Sequence, residues 1–166
     1  MALVNLGPDP VSTVGELPLV GSIAPAFVLS ANDLTDVKLS DFKGKNVILN
    51  IFPSVDTSIC SASVREFNKR AASLPNTAVL CVSKDLPMAL KRFCGSEGIE
   101  NVQTLSDFRN RGFGKDYGVE LVTGAFAALF ARAIVIADAD GKVKYTELAK
   151  QIGEHIDYEA AMKAIS

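Results

Sequence analysis

The segment Pro53-Ser54-Val55-Asp56-Thr57-Ser58-Ile59-Cys60 is the part of this chain best placed to do chemistry. The apolar run Asn46-Val47-Ile48-Leu49-Asn50-Ile51-Phe52 precedes it and reads as a buried strand. Residues 61–72 follow and read as an amphipathic helix. Cys60 therefore falls in the first turn of a helix, just past the carboxyl end of a strand. The first backbone N–H groups of a helix lack an intrahelical acceptor, and the helix dipole is positive there. Both favour a thiolate, the nucleophilic form of cysteine. Thr57 stands near the helix start, where a hydroxyl can cap the helix or face a bound substrate. Pro53, at the strand end, can shield a thiolate from water. The structural alternative for Cys60 is a small hydrophobe buried between helix and strand, and the surrounding motif weighs against it.

Two further thiols and one arginine have the same two kinds of reading. Cys94 lies on a helix beside Gly95, where it is either a core-facing neighbour of Phe93 or a resolving thiol. In the second case a sulfenic acid on Cys60 would condense with it. The two Cα atoms must then come within about 7 Å, if necessary by local unwinding of both helices. Cys81, in Val79-Leu80-Cys81-Val82, reads as an inert core thiol with no charge nearby to activate it. Arg132 opens an apolar strand, where a charge is costly without a partner. That partner is either a carboxylate at the sheet edge or the Cys60 thiolate together with substrate oxygens.

The elements that must position these groups follow from the pattern. Glycines and prolines between short apolar pieces in residues 1–22 predict an N-terminal hairpin or arm. Short strands are expected at 27–29 and 37–39, then a turn over 40–45 into the strand at 46–52. A strand at 77–83 leads to a helix opened by Pro87 and ended by Gly95 and Gly98. A short strand at 102–105 and a short helix within 107–117 come next. Residues 133–137 form a strongly apolar strand, and Asp138-Ala139-Asp140-Gly141 turns it into a strand at 142–146. A last helix spans about 157–165. This order predicts an α/β fold, a mixed central sheet flanked by helices on both faces, in one domain over residues 1–166.

Composition narrows the function. Apolar residues make up 48% of the 166, enough for a substantial core, and the net charge is −2 with no basic patch. Nucleic acid is thus not an expected partner. No apolar stretch reaches the roughly 18 residues that a membrane span needs. The chain does not open on a basic segment followed by an apolar one, so a cytoplasmic location is expected. Cysteines at 60, 81 and 94 contain no Cys-x-x-Cys, which counts against a thioredoxin-type reductase. The single histidine, His155, sits among acids and reads as a surface residue, which leaves a cysteine hydrolase without its base. No pair of cysteine or histidine ligands has zinc spacing. The glycine of residues 138–141 comes too early for a calcium loop. Gly112-Phe113-Gly114 lacks the third glycine of a dinucleotide fingerprint.

Pro-x-x-x-Thr-x-x-Cys at a strand–helix junction resembles the peroxidatic motif of the peroxiredoxins. The likeness extends over almost the whole chain to the atypical two-cysteine thiol peroxidases. Arg92-Phe93-Cys94-Gly95-Ser96-Glu97-Gly98 is similar to their resolving segment, and Ala131-Arg132-Ala133 to the segment with their active-site arginine. The resemblance implies a thioredoxin-like fold with an N-terminal β-hairpin, a homodimer, and neither metal nor organic cofactor. It implies that Cys60 attacks a hydroperoxide, organic or hydrogen peroxide, while Thr57, Arg132 and backbone amides hold the peroxide beside Pro53. Cys94 would resolve the sulfenic acid within the chain, and a thioredoxin would reduce the disulfide, an antioxidant role. Phe126, Leu129 and Phe130 are apolar candidates for substrate contact or a dimer surface. The competing function is a peroxide-sensing thiol switch or redox chaperone that uses the same cysteine pair.

Overall fold

The computed structural model describes residues 1–165; Ser166, the last residue of the stretch read as one domain, lies outside the described residues. The N-terminal hairpin is present as β1 (Leu3–Leu6) and β2 (Asp9–Ser12), paired antiparallel. The chain then builds one mixed sheet from β3 (Val28–Ser30), β4 (Asp36–Lys38), β5 (Asn46–Ile51), β6 (Thr77–Ser83), β7 (Gln103–Ser106), β8 (Ala133–Ala137) and β9 (Val143–Leu148). Its spatial order is β4-β3-β7-β6-β5-β8-β9. β5, β6 and β7 are mutually parallel at the centre, and the outer strands pair antiparallel.

Side-chain alternation along the central strands sorts residues onto two faces. Val47, Leu49 and Ile51 of β5 join Leu80, Val82, Ala133 and Val135 in one core, with Phe27, Phe113, Tyr117 and Phe130 stacked over it. Ile48, Val79, Ile134 and Ile136 point the other way, toward Phe67 and Ala161. That second face is covered by α1 (Ser58–Ala71), α2 (Pro87–Glu97) and α4 (Tyr158–Lys163). Among the described residues the first face carries the single turn α3 (Phe113–Asp116) and a 3₁₀ turn, Leu39–Phe42, so the two faces are clothed unequally. Phe67 is fully buried and packs edge-on to Tyr158. Truncating it would cost about 3–5 kcal/mol.

Several boundaries differ from the sequence expectation, each for a local reason. α1 starts at Ser58, three residues earlier than its apolar periodicity, because Thr57 takes the extended backbone of an N-cap. Gly95 lies inside α2; the helix ends at Gly98, whose φ of 66° is the left-handed cap conformation. The expected turn at 40–45 contains a 3₁₀ turn, Leu39–Phe42. The Asp138 carboxylate accepts from the amides of Asp140 and Lys142, which confirms a hairpin turn there. Asp157 caps α4 by accepting from the Ala160 amide at 3.0 Å.

Candidate active site

Cys60 is the third residue of α1, and its side chain is wholly buried at the end of β5. The first amide of this helix to find an acceptor is that of Ser61, which donates to the Thr57 carbonyl over 3.0 Å. The N–H groups of the turn that carries Cys60 are therefore left over, as helix geometry requires. Arg132 immediately precedes β8, which pairs antiparallel with β5. That pairing sets it against the Cys60 turn. Its Nη2 donates to Cys60 Sγ over 3.1 Å, and its Nε donates to the Ile152 carbonyl over 2.8 Å. Its Nη1 is buried and has no hydrogen-bond partner.

Arg132 is only 2% exposed. Its hydrogen-bond partners are the Cys60 sulfur and the Ile152 carbonyl, not the carboxylate that the structural reading of the sequence expected. A buried guanidinium is costly unless its donors are used. Arg132 also lines a cavity of about 280 Å³, together with Pro53, Thr57, Cys60, Phe126 and Ile152 among others.

Thr57 is the N-cap residue of α1 by its backbone, but its side chain makes no capping hydrogen bond. Its hydroxyl donates to the Ser54 carbonyl over 3.0 Å, which leaves the oxygen lone pairs free beside the cavity. Pro53 is buried on the cavity wall. Of the three aromatic and aliphatic candidates downstream, Phe126 lines this cavity, whereas Phe130 is fully buried in the opposite core against Phe113. Phe130 is therefore available neither to substrate nor to a dimer surface.

The structure adds residues that the sequence did not reveal. Asp85, after β6, binds the turn before Cys60: it accepts from Ser54 Oγ at 2.6 Å and from the Val55 amide at 2.9 Å. Ser83 Oγ donates to the same carboxylate over 2.7 Å, and Ser106 Oγ donates to the Asp85 carbonyl. Ile152 is fixed in turn by the hairpin, because its amide donates to the Asn5 carbonyl over 2.9 Å. Leu6 of β1 adds an apolar wall to the cavity. A lone aspartate in a loop and a leucine at the chain start carry no periodic or motif signal.

The other two thiols lie in different surroundings. Cys81 is fully buried in β6 and accepts from Asn50 Nδ2 at 3.6 Å. Burial pushes its thiol up to about 12, with the Asn50 contact only partly opposing this. Cys94, on α2, is half-buried, and its sulfur lies 3.4 Å from Thr104 Oγ1. All three cysteines are free thiols. Cys60 and Cys94 border one apolar cluster with Val64, Cys81 and Leu90 but line separate cavities. His155 is exposed, its Nδ1 pairs with the Tyr158 hydroxyl at 2.8 Å, and it lines neither the Cys60 nor the Cys94 cavity. Among the described residues there is no cluster of metal-ligating side chains, and no helix is long and apolar enough to cross a membrane.

The fold, with its mixed sheet and N-terminal hairpin, is thioredoxin-like. The Redoxin family profile matches residues 19–162, and the chain belongs to that family. Within it the chain stands with the thiol peroxidases, peroxiredoxin-type oxidoreductases that reduce peroxide with thiols. It is 56% identical over 165 residues to the thiol peroxidase of Mycobacterium tuberculosis, covering 99% of both chains. It superposes on a peroxiredoxin-like protein from Aquifex aeolicus with a TM-score of 0.94 at 38% identity, covering 99% of this chain and 96% of that one. The thiol peroxidase of Chromobacterium violaceum gives a TM-score of 0.88 at 26% identity, covering 97% and 93%.

Proposed function

We propose that Cys60 is the peroxidatic thiol, that Cys94 resolves it within the same chain, and that a thioredoxin recycles the pair. The observation that carries this reading is the buried Arg132 guanidinium, with one nitrogen on Cys60 Sγ and another without a hydrogen-bond partner, in a residue that lines the same cavity as Cys60. In the first step the Cys60 thiolate attacks the terminal oxygen of a hydroperoxide. The O–O bond breaks, and the departing alkoxide or hydroxide takes up a proton and leaves as alcohol or water. Charge grows on the departing oxygen, where Arg132 and the free amides of the first turn can meet it. Donors fixed in advance at such a point are a large source of rate enhancement. The Thr57 oxygen, whose own hydrogen goes to the Ser54 carbonyl, accepts from the proton on the peroxide. Leu6 and Phe126 favour an apolar substituent, so organic hydroperoxides are preferred substrates with hydrogen peroxide also accepted.

In the second step the Cys94 sulfur attacks the Cys60 sulfenic acid and water leaves, giving a disulfide. Thioredoxin then reduces the disulfide by exchange through a mixed disulfide. A cytoplasmic homodimer serving antioxidant defence completes this reading. The test is mass spectrometry of reduced protein treated with one equivalent of an organic hydroperoxide, then alkylated and digested. A Cys60–Cys94 peptide with Cys81 alkylated is expected. Cys60 oxidised but unlinked would move the resolving thiol to another molecule, and an unmodified Cys60 would overturn the assignment. The variant Cys94→Ser should consume about one equivalent of peroxide and then stall.

A further inference from the structure

Resting on the assignment of Cys94 as the resolving thiol, we propose that Asn32 and Thr104 are positioning residues that store this thiol in a polar cradle away from Cys60. Thr104 lies on β7 and is 1% exposed; Asn32 lies in the turn between β3 and β4. Thr104 Oγ1 donates to Asn32 Oδ1 over 2.8 Å, and Asn32 Nδ2 reaches Cys94 Sγ at 3.9 Å. A threonine hydroxyl has a single hydrogen. Since it goes to Asn32, the 3.4 Å contact with Cys94 is one in which the S–H donates and the hydroxyl accepts. The three side chains thus close a small ring around the thiol form of Cys94. They line a cavity of about 360 Å³ together with Ile99 and Val102.

The location of the cradle makes it a store. Thr104 is in register with Cys81 on β6, and Cys81 with Asn50 on β5. Cys60 is instead bonded to the side chain of Arg132, which immediately precedes β8. The backbones of Thr104 and Arg132 are therefore three strand spacings apart, on the order of 14 Å. Val64 and Leu90 pack in the cluster that Cys60 and Cys94 border. The Cys94 carbonyl is also held, since it accepts from the amides of Gly98 and Ile99. Disulfide formation needs Cα atoms within about 7 Å and a thiolate as attacking group. The attacking sulfur must leave the Thr104 contact for both reasons. Release from the cradle is then a step in resolution, and it sets how long the Cys60 sulfenic acid survives.

The experiment compares native protein with Thr104→Val, Asn32→Ala and Thr104→Ser. Iodoacetamide labelling of each cysteine in reduced protein is read by peptide mass spectrometry. In parallel, one equivalent of cumene hydroperoxide is mixed rapidly with each protein, and both Cys60 oxidation and disulfide formation are followed. Thr104→Val and Asn32→Ala should each raise Cys94 labelling and disulfide formation by about fivefold, the worth of one net hydrogen bond. Cys60 oxidation should keep its native rate, and Thr104→Ser, which restores the hydroxyl, should restore native behaviour. Unchanged Cys94 labelling in both truncations would overturn the proposal. So would equal acceleration of Cys81 labelling, which means general loosening, or slower disulfide formation, which means that the cradle presents the thiol. Absence of any Cys60–Cys94 link in native protein would refute the resolving assignment instead, and the labelling ratios would still decide whether the cradle holds Cys94.

Discussion

Cys60 and Cys81 are both fully buried, both border the same apolar cluster, and both accept a hydrogen bond from a side-chain nitrogen. They differ in what the nitrogen belongs to and where the backbone puts the sulfur. At Cys60 the donor is a guanidinium 3.1 Å away, and the residue sits in a helix turn with spare amides. At Cys81 the donor is a neutral amide at 3.6 Å, and the residue sits mid-strand, where the ladder consumes its backbone groups. Burial alone disfavours a thiolate, and at Cys81 it does so unopposed by any charge. Low dielectric also strengthens whatever partner is present. Burial therefore amplifies the chemistry of the partner and does not by itself make a cysteine reactive or inert.

The strongest way to break this comparison is to remove the sulfur that it calls reactive. Cys60→Ser should abolish peroxide turnover, measured by loss of hydroperoxide in the presence of reductant, because a hydroxyl offers no thiolate. Retained turnover would assign the chemistry to another thiol. Next in size is the guanidinium. Arg132→Met should lower the second-order rate of Cys60 oxidation by about 10²–10³-fold, the usual loss when a donor to developing charge is removed. Arg132→Lys should recover little of this, because one ammonium cannot serve Cys60 Sγ and the Ile152 carbonyl in the same fork geometry. A rate near the native value in Arg132→Met would leave the helix amides as the sole source of activation.

What could be read from the sequence follows from how local each feature is. Pro53, Thr57 and Cys60 belong to one contiguous junction, so strand periodicity, helix periodicity and motif all point at the same eight residues. The hairpin and the central strands were legible for the same reason, since each is a run of short-range pattern. The partner of Arg132 was not. It depends on β8 pairing with β5 across more than eighty intervening residues, and no local pattern encodes strand order. Asp85, Leu6 and Ile152 were missed because each reaches the site from a separate segment. Gly95 and Gly98 looked alike as helix stops, and only the positive φ of Gly98 distinguishes them.

Asp85 sharpens the comparison from the backbone side. Its carboxylate accepts three hydrogen bonds from Ser54, Val55 and Ser83, and two of these tie down the turn that leads into Cys60. Asp85→Asn would replace one acceptor oxygen with an NH₂ facing donors, a local cost of about 1–3 kcal/mol. A reacting sulfur displaced slightly from its line of attack loses rate steeply. Cys60 oxidation should slow by about tenfold, while the Cys81 environment stays as it was. An unchanged rate would show that the turn keeps its geometry without this clamp.

The smallest effect belongs to Cys81 and is seen in stability, not in rate. Cys81→Ala should leave peroxide turnover near native, at a folding cost of about 1–2 kcal/mol for the lost sulfur. Its thiol is held up at about 12 in the folded protein, against about 8.5 for an ordinary cysteine. Between these values the unfolded chain releases the proton and the folded protein keeps it. The stabilisation is thus complete below pH 8.5 and is lost as pH rises toward 12, by about 1.4 kcal/mol per pH unit. Urea unfolding of native protein at pH 8 and pH 10 should show this alkaline loss, and the loss should be smaller by that amount per unit in Cys81→Ala. Equal alkaline slopes in the two proteins would mean that Cys81 titrates like an exposed thiol, and the contrast with Cys60 would then rest on Arg132 and the helix turn alone.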